Sequence, residues 1–526
     1  MNGLLAAVHY NTWILTTLLA LPLAGVAVLA LQSRAAAGAD AAAKMEIARR
    51  TALALFVVEA ALSVGLWWSL DYSSIEWQAA VTLPWIPAWG IHYKIGVDGI
   101  AVVLILLTTF LMPLTVLGSW TGIREKPFAF YAMLLLMTTG MLGVFVALDL
   151  ALFYVFWELM LIPMYLIIGM WGGSRRVYAS IKFFLFTMLG SLLMLVAILY
   201  VAFKTGGASG VPVFDYDLLA SSAAYPAQAA LWLFGAFFVA FAVKVPMWPL
   251  HTWLPDAHVE APTGGSVVLA SIMLKMGTFG FIRFALPLFP SAASDPAVRT
   301  VMVTLAVIGI VYGALVSMVQ PDFKKLVAYS SVSHLGFVML GLFAFTTQGM
   351  QGAVMVNLNH GISTGALFLL IGMLYERRHT RLFDEFGGIA RVMPMYAVAL
   401  SIVAFSSMGL PGTNGFVGEF LVLIGAFRTV PVATTIATTV VIIAAVYLLW
   451  MVQRVIYNPL ARRENAVLHD LNWREVGLLV PLVIGIFWLG IYPAPILNRT
   501  HAAANRVIER VGGVPEVNPT ELTVRQ

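Results

Sequence analysis

Among the ionisable residues inside strongly apolar stretches of this sequence are two carboxylates, Glu158 and Glu419, and two amines, Lys244 and Lys275. A charge at such a position is expensive, so each one needs a functional or structural reason. Burial disfavours an ammonium ion, whereas a nearby ionised carboxylate favours it. Making and breaking a Glu–Lys pair would switch a lysine between holding and releasing a proton, and these residue types therefore indicate proton transfer.

Histidines lie in or beside the same stretches, and an imidazole binds and releases protons near neutral pH. Four of them are candidates for a proton relay: His251, His258, His334 and His360. A hydrogen-bonded neutral imidazole with a structural role is an equal alternative for each one.

A metal or cofactor site is disfavoured. The segment HTWLPDAHVE (251–260) contains zinc-ligand residue types, but its internal proline disfavours a helical i, i+4 ligand pair. The chain has no cysteine, which excludes thiol catalysis and Cys-ligated zinc or iron–sulfur clusters. No dinucleotide-binding or Walker motif is present. We expect no metal and no bound cofactor in this chain.

The elements that position these residues are membrane spans. Of 526 residues, 61% are hydrophobic and 10% are charged, against roughly 25% charged in soluble domains. Apolar stretches long enough to cross about 30 Å of hydrocarbon lie at 10–31, 51–70, 97–119, 128–148, 151–171, 181–203, 229–249, 265–289, 299–319, 326–345, 351–375, 394–427, 432–453 and 475–493. We predict an all-α polytopic membrane protein with about fourteen transmembrane helices.

Two of these spans contain closely spaced pairs of helix-breaking residues. The 229–249 stretch includes Pro246 and Pro249, and the 394–427 stretch includes Pro411 followed by Gly412. A proline removes a backbone hydrogen bond, so both stretches are predicted to be interrupted helices. One interruption in each half suggests a duplicated unit of about five spans, as in many transporters.

The candidate residues lie close to these breaks or near the middle of a span. Lys244 precedes Pro246 by two residues, and Glu419 follows the second break. Lys275 is 10 residues from the start of its span and 14 from its end, which places it near the membrane midplane. We expect the break beside Lys244 to need water or protein partners, and the small residues before Glu419 to allow hydration.

Other charges within the spans have simpler explanations. Lys182, Lys204 and Arg283 lie within about two turns of a predicted helix end, where a long side chain can extend to the interface. Glu59, central in the second span without an evident partner, is predicted to have a protonated or locally paired structural role.

The distribution of basic residues predicts the orientation. The face opposite the two termini, called the basic face below, carries 19 of the 30 Lys and Arg residues. The terminal face carries eight: Lys94, Lys204, Arg299, Arg428, Arg499, Arg506, Arg510 and Arg525. The positive-inside rule then places both termini outside the cytoplasm.

Several segments resemble the antiporter-like membrane subunits of respiratory complex I. The resemblance covers roughly residues 95–460 and is strongest at GVDGIAVVLILLTTFL (96–111), FWELMLIPMYLIIGMWG (156–172), KVPMWPLHTWLPDAHVEAPTGGSVVLASIMLKMGTFG (244–280), DFKKLVAYSSVSHLGFVMLG (322–341), NHGISTGALFLLIGMLYERR (359–378) and GLPGTNGFVGEF (409–420). It implies two inverted five-helix repeats and two half-channels that meet near mid-membrane. The predicted divisions are 1–127 (helices 1–3), 128–290 (first repeat), 298–457 (second repeat) and 458–526 (last helix and extracytoplasmic tail).

By motif position, the resemblance also implies residue roles. Glu158 would be the fifth-helix glutamate that modulates the seventh-helix lysine, Lys244. Lys275 and His334 would carry protons along a hydrated central axis. Glu419 occupies a twelfth-helix position that is usually lysine in the sister subunits and in Mrp-type antiporters, so a glutamate there singles out one chain of the complex.

The resemblance further implies the setting of the chain. It would be a proton-translocating, non-redox subunit of NADH:quinone oxidoreductase, held between two sister antiporter-like subunits in a bacterial cytoplasmic membrane. NADH, FMN, iron–sulfur clusters and quinone would bind to partner subunits, and nucleic acid would have no role. The alternatives are a subunit of an Mrp-type cation/proton antiporter and a structural spacer, which the buried charges disfavour.

Overall fold

The computed structural model describes residues 2–207, 210–222 and 225–515. Within them, thirteen helices are long and apolar enough to cross a membrane. They are α1 (Tyr10–Ala35), α2 (Ala41–Ser69), α3 (Gly99–Gly118), α4 (Pro127–Val146), α5 (Leu150–Trp171), α6 (Arg176–Gly206), α7a (Ala227–Lys244), α8 (Thr263–Leu288), α9 (Pro296–Met318), α10 (Phe323–Phe343), α11 (Thr347–Arg378), α13 (Pro431–Tyr457) and α14 (Trp473–Ile491).

Two shorter apolar helices, α12a (Pro394–Ser407) and α12b (Asn414–Phe427), together form the remaining predicted span. The prediction of about fourteen spans is therefore confirmed, and so is the interruption of the twelfth. The largest boundary error is at α2, which begins at Ala41 rather than at 51. Its first turns carry charges and are capped by the Asp40 side chain, which accepts a hydrogen bond from the Ala43 N–H. An apolar window cannot find a helix start of this kind.

The seventh span is also interrupted, as predicted. Helix α7a ends at Lys244, and a short helix, α7b (Trp253–Glu260), follows after a turn. The carbonyls freed by the break find new donors: the Met247 N–H donates to Ala242, 2.9 Å away, and the Trp253 indole N–H donates to Val243 at 2.9 Å. No backbone acceptor at these two positions is left unpaired inside the protein, which is the condition for a helix break at membrane depth.

The two interrupted helices have equivalent places in the chain. Helix α7 is the fourth member of the predicted unit α4–α8, and α12 is the fourth member of α9–α13. Successive spans alternate in direction, so helices five spans apart run in opposite directions. This arrangement agrees with inverted repeats of five helices.

Helices α8 and α11 form the centre of the molecule. Every residue in their most apolar segments is buried, whereas only 28% of the corresponding segment of α13 is buried. Helix α8 contains two π-helical turns, Leu269–Met273 and Phe281–Ala285, a feature often found at functional sites.

The terminal face contains two elements that a search for membrane-spanning apolar stretches does not predict. Strands β1 (Gln78–Ile86) and β2 (Ile91–Val97) form an antiparallel hairpin, and α15 (Ala494–Arg510) follows α14. The β1 strand contains Pro84, and proline is generally unfavourable in strands. In the described part of the chain, four short α-helices lie outside the spans, before α1 or in the loops of either face, at Asn2–Ala7, Tyr216–Ser221, Pro290–Ala293 and Arg463–Ala466.

An ion cluster on this face corrects one prediction. Arg283 does not extend to the interface: its side chain is 4% exposed and pairs with Asp98 at 2.8 Å. Asp98 also binds Arg506 of α15 at 2.9 Å, and both guanidinium groups stack on Trp77. Although burial acts in the opposite direction, these two cations lower the pKa of Asp98. The cluster fastens α15 to the ends of α3 and α8.

The remaining charges within spans agree better with expectation. Lys204 is exposed, and Lys182 is partly exposed and pairs with Asp256 at 2.7 Å. Glu59 is 1% exposed, and its Oε1 atom has no hydrogen-bond partner among the described residues. Its structural role stays a prediction.

Candidate proton-transfer site

The two central helices meet at a direct contact between proton-binding side chains. The Nζ atom of Lys275 in α8 lies 2.6 Å from Nδ1 of His360 in α11. Lys275 is fully buried and His360 is 5% exposed. A hydrogen bond of this kind, between an amine and an imidazole, is a path along which a proton can move.

The local backbone explains how Lys275 is held. Its Nζ atom also donates to the Ala270 carbonyl, 2.5 Å away, and Ala270 lies in the first π-helical turn of α8. A π turn displaces carbonyls from the regular helical ladder, so this acceptor is available to the side chain. Lys275 therefore has two neutral partners and no ion-paired carboxylate within the described residues.

A second pair of proton-binding groups continues from His360. Nδ1 of His334 in α10 lies 2.9 Å from Oε1 of Glu419 in α12b. The rings of His334 and His360 are neighbours, with centroids 5.7 Å apart. Lys275, His360, His334 and Glu419 thus form one row across four helices, called the central file below.

A small cavity lies beside this row, lined by both histidines and Glu419. Its volume of about 20 Å³ is enough for one water molecule. Among the described residues, no hydrogen bond joins the nitrogens of the His360 and His334 rings, and a water in this cavity can connect them. The Nε2 atom of His360 has no protein partner among the described residues, as expected of a group that meets water.

Polar residues that the sequence reasoning did not single out support the file. The Asn414 side chain, at the start of α12b, accepts hydrogen bonds from Ser406 and Ser363. The Asn359 amide donates to the Asn414 carbonyl at 2.5 Å. This network joins α11 to both halves of α12 and fixes the helix break that carries Glu419. The sequence did contain an indication of this network, because Asn359 is adjacent to His360 and Asn414 closely follows Pro411 and Gly412.

Glu158 and Lys244 form a separate, looser pair. Lys244 is 2% exposed, and its Nζ atom has no hydrogen-bond partner in the described part of the chain. It lies over the rings of Trp157 and Phe183, 5.4 and 5.7 Å from their centroids. Half-buried Glu158 interacts electrostatically with Lys244 and with the Ser191 hydroxyl, but no ion pair of 4 Å or less joins the two.

Helix α8 brings this pair close to the central file. Gly277, two residues beyond Lys275, packs so closely on α7a that an added Cβ would lie 2.9 Å from Lys244 Cβ. A side chain at 277 would force the two helices apart. The glycine therefore keeps the two lysine-bearing helices in contact.

The two remaining candidate histidines are buried without ring hydrogen bonds. His251 contacts Tyr312 and Tyr329 edge-on, with ring centroids 5.0 and 6.2 Å apart. His258 stacks on Phe368 of α11 at 4.5 Å. Neither nitrogen of either ring has a partner among the described residues. His251 lies outside the central file, whereas His258 interacts electrostatically with Lys275 and His360.

The donor set does not suit a metal. In the described ranges, no three His, Asp or Glu side chains converge as ligands. The site consists of a lysine, two imidazoles and one carboxylate in a row, which suits proton transfer along hydrogen bonds.

Comparison with known proteins assigns the fold. A family model described as NADH:quinone oxidoreductase/Mrp antiporter, transmembrane, matches residues 147–444. The chain also superimposes on a chain of respiratory complex I from Thermus thermophilus with a TM-score of 0.84 and 32% identity, covering 95% of this chain and 100% of that one. The Mrp complex from Dietzia sp. shares the fold, with a TM-score of 0.79 at 20% identity over 97% of this chain and 54% of that one. The chain belongs to the NADH:quinone oxidoreductase/Mrp antiporter family of membrane proteins.

Its curated relatives narrow the assignment. NADH-quinone oxidoreductase subunit M of Rhodobacter capsulatus is 45% identical over 91% of this chain and 93% of that protein. NADH-ubiquinone oxidoreductase chain 4 of Arabidopsis thaliana is 40% identical over 89% and 92%. Within the family, the chain lies in the subunit M branch of complex I. The resemblance deduced from the sequence is confirmed, and the Mrp alternative is less well supported.

Proposed function

We propose that this subunit translocates protons across the membrane through the central file, coupled to quinone reduction elsewhere in complex I. One observation carries the proposal: four proton-binding side chains follow one another across α8, α11, α10 and α12b, with a water-sized cavity beside them. A structural spacer has no need of a fully buried lysine without a counter-charge.

In this proposal, Glu158 and Lys244 form a first station, and the central file forms a second. A proton that leaves Lys244 enters the file at Lys275 and moves through the two imidazoles to Glu419. Each step moves only a proton between lone pairs of nitrogen or oxygen, so the chain needs no redox group. NADH, FMN, iron–sulfur clusters and quinone would bind to partner subunits.

The proposal includes the assembly and the membrane. The chain would lie beside other complex I subunits, including two sister antiporter-like subunits, in a bacterial cytoplasmic membrane. Both termini would lie outside the cytoplasm. Support comes from the names of the bacterial relatives and from the 19 basic residues on the basic face.

Purification of the tagged chain tests whether it is part of an assembled complex I. The proposal expects co-purification of a complex with flavin and iron–sulfur absorbance, and an assembly without them would contradict it. Proton pumping by the same complex in proteoliposomes tests the mechanism. Lys275→Ala should lower the protons pumped per electron in a complex that still assembles, and unchanged pumping would refute the role of the file.

A further inference from the structure

A polar cavity of about 510 Å³ lies at the basic face, between the loops that connect the spans. Its outer wall includes the exposed residues Thr121 and Arg124 of the loop between α3 and α4. Its inner wall includes Glu260 at the end of α7b and Lys324 at the start of α10. Water at this face can therefore reach the end of α7b, which carries His258, and the start of α10, which carries His334.

Lys324 forms the floor of this cavity and is only 4% exposed. Its Nζ atom donates to the Ala261 carbonyl at 2.7 Å and to the Ser266 hydroxyl at 3.2 Å. An ammonium has three donors, and the structure gives protein partners to two of them. This lysine joins the cavity to the buried start of α8.

The charges around Lys324 are occupied elsewhere. Asp322 pairs with Arg381 at 3.3 Å, and the Glu260 carboxylate accepts the Arg175 backbone N–H at 2.8 Å. No carboxylate of the described residues lies within ion-pair distance of Lys324. The hydrogen-bond partners of Lys324 are therefore neutral groups, and the amine can release a proton without breaking a salt bridge.

A buried imidazole lies behind this lysine. The Ser266 hydroxyl, which accepts from Lys324, donates to the His258 carbonyl at 3.1 Å, so the two residues share a neighbour. The His258 ring is fully buried, and neither nitrogen has a partner among the described residues. The ring interacts electrostatically with both Lys324 and Lys275.

We propose that this cavity is a second proton entrance to the central file, with Lys324 as its receiving group and His258 as the link to Lys275 and His360. A hydronium ion in the cavity gives its proton to the lone pair of the Lys324 amine. The ammonium passes the proton to one nitrogen of His258, and the opposite nitrogen releases a proton to the file. The route does not pass through Glu158 or Lys244. Each pumping cycle takes one proton through each entrance, so loss of either entrance slows the whole cycle. The entrance rests on the proposed function.

The competing explanation is structural. The Lys324 ammonium lies at the C-terminal end of α7b, where a cation stabilises the last carbonyls of a helix. Arginine separates the two explanations, because it retains the charge and the hydrogen-bond donors but does not release a proton in proteins. The structural role therefore tolerates Lys324→Arg, and the entrance does not.

The test uses the whole complex in proteoliposomes with four single variants. Lys324→Arg and His258→Phe should each lower the pumping rate about 100-fold or more, the usual loss for a positioned proton-transfer group. His258→Phe keeps an aromatic ring against Phe368. Lys325→Arg, at the adjacent half-buried lysine, is the matched control and should pump normally. Lys275→Ala reports on the file itself.

The double variant Lys324→Arg/His258→Phe should pump no less than either single variant, because both residues serve one route. If Lys324→Arg and His258→Phe pump normally while Lys275→Ala fails, the entrance is refuted and the central file is retained. If Lys275→Ala also pumps normally, the proposed function itself fails. Should Lys324→Arg not assemble, His258→Phe decides alone, and normal pumping by that variant overturns the entrance.

Discussion

Glu419 at the end of the central file gives the most discriminating substitution series. In the structure its Oε1 atom lies 2.9 Å from Nδ1 of His334, and its side chain is 11% exposed. Glutamine has the same shape and can still hydrogen-bond to His334, but it cannot bind and release a proton. Lysine differs in shape and charge but can. The two substitutions therefore separate packing from proton transfer.

The expected magnitudes differ clearly. Hydrogen bonds to charged groups contribute about 1.5–3 kcal/mol and neutral ones about 0.5–1.5 kcal/mol, so Glu419→Gln weakens this contact by roughly 1 kcal/mol. That free energy corresponds to about a fivefold change in an equilibrium constant. Loss of a positioned proton-transfer group costs about 100-fold or more. A purely structural residue would therefore keep about a fifth of its activity or more as glutamine, and a proton carrier would keep far less.

The assay is pumping-coupled NADH:quinone reductase activity in membranes, with assembly of the complex checked by native gel electrophoresis. Glu419→Ala and Glu419→Gln should lose most of this activity, whereas Glu419→Lys should retain a measurable part. A structural role predicts the reverse order, with glutamine best tolerated. If assembled Glu419→Gln enzyme pumps normally while Glu419→Lys fails to assemble, the proton-carrier assignment is wrong.

Four further predictions concern Lys244, Glu158, Asp98 and the orientation of the chain in the membrane. Lys244→Ala should reduce coupled proton pumping about 100-fold or more, because a methyl group cannot carry a proton. Near wild-type protons per electron in an intact complex would contradict this. Glu158→Gln should impair turnover by removing the charge that acts on Lys244, and full activity would mean that the two do not interact. Asp98→Asn should destabilise the attachment of α15 by about 3–5 kcal/mol, because it leaves the buried Arg283 unpaired, and limited proteolysis of α15 should become faster. The pKa of Asp98 is lowered in the folded protein. The attachment of α15 should therefore also weaken as the pH falls through this lowered pKa. A C-terminal tag should be cleaved by protease added outside the cytoplasmic membrane, and cleavage only in inverted vesicles would reverse the assigned topology.

The sequence predicts the spans and their interruptions well because both depend on local properties. An apolar stretch must be about 20 residues long to cross the bilayer, and Pro246 or Pro411 removes a backbone donor wherever it lies. The charges that matter are also visible, since Lys275 lies near the middle of its span on a simple count of residues.

The contacts between spans could not be predicted in this way. His360 is 85 residues from Lys275, and Asp98 is the partner of Arg283 from a different span. No periodicity within one helix specifies which face meets another helix, and the π turn at Leu269–Met273 changes that face locally. Helix α15 did leave a signal, because its buried residues Ile496, Thr500, Ala503 and Val507 recur every three or four positions.

The central claim is that protons pass from Lys275 through His360 to His334 and Glu419. The most direct measurement is the number of protons pumped per electron by reconstituted complex carrying His360→Phe, which keeps an aromatic ring in the same buried place but removes both nitrogens. If protons pass through His360, the variant complex should assemble, and its pumped protons per electron should fall clearly below the wild-type value. Unchanged stoichiometry and unchanged turnover in this variant would contradict it.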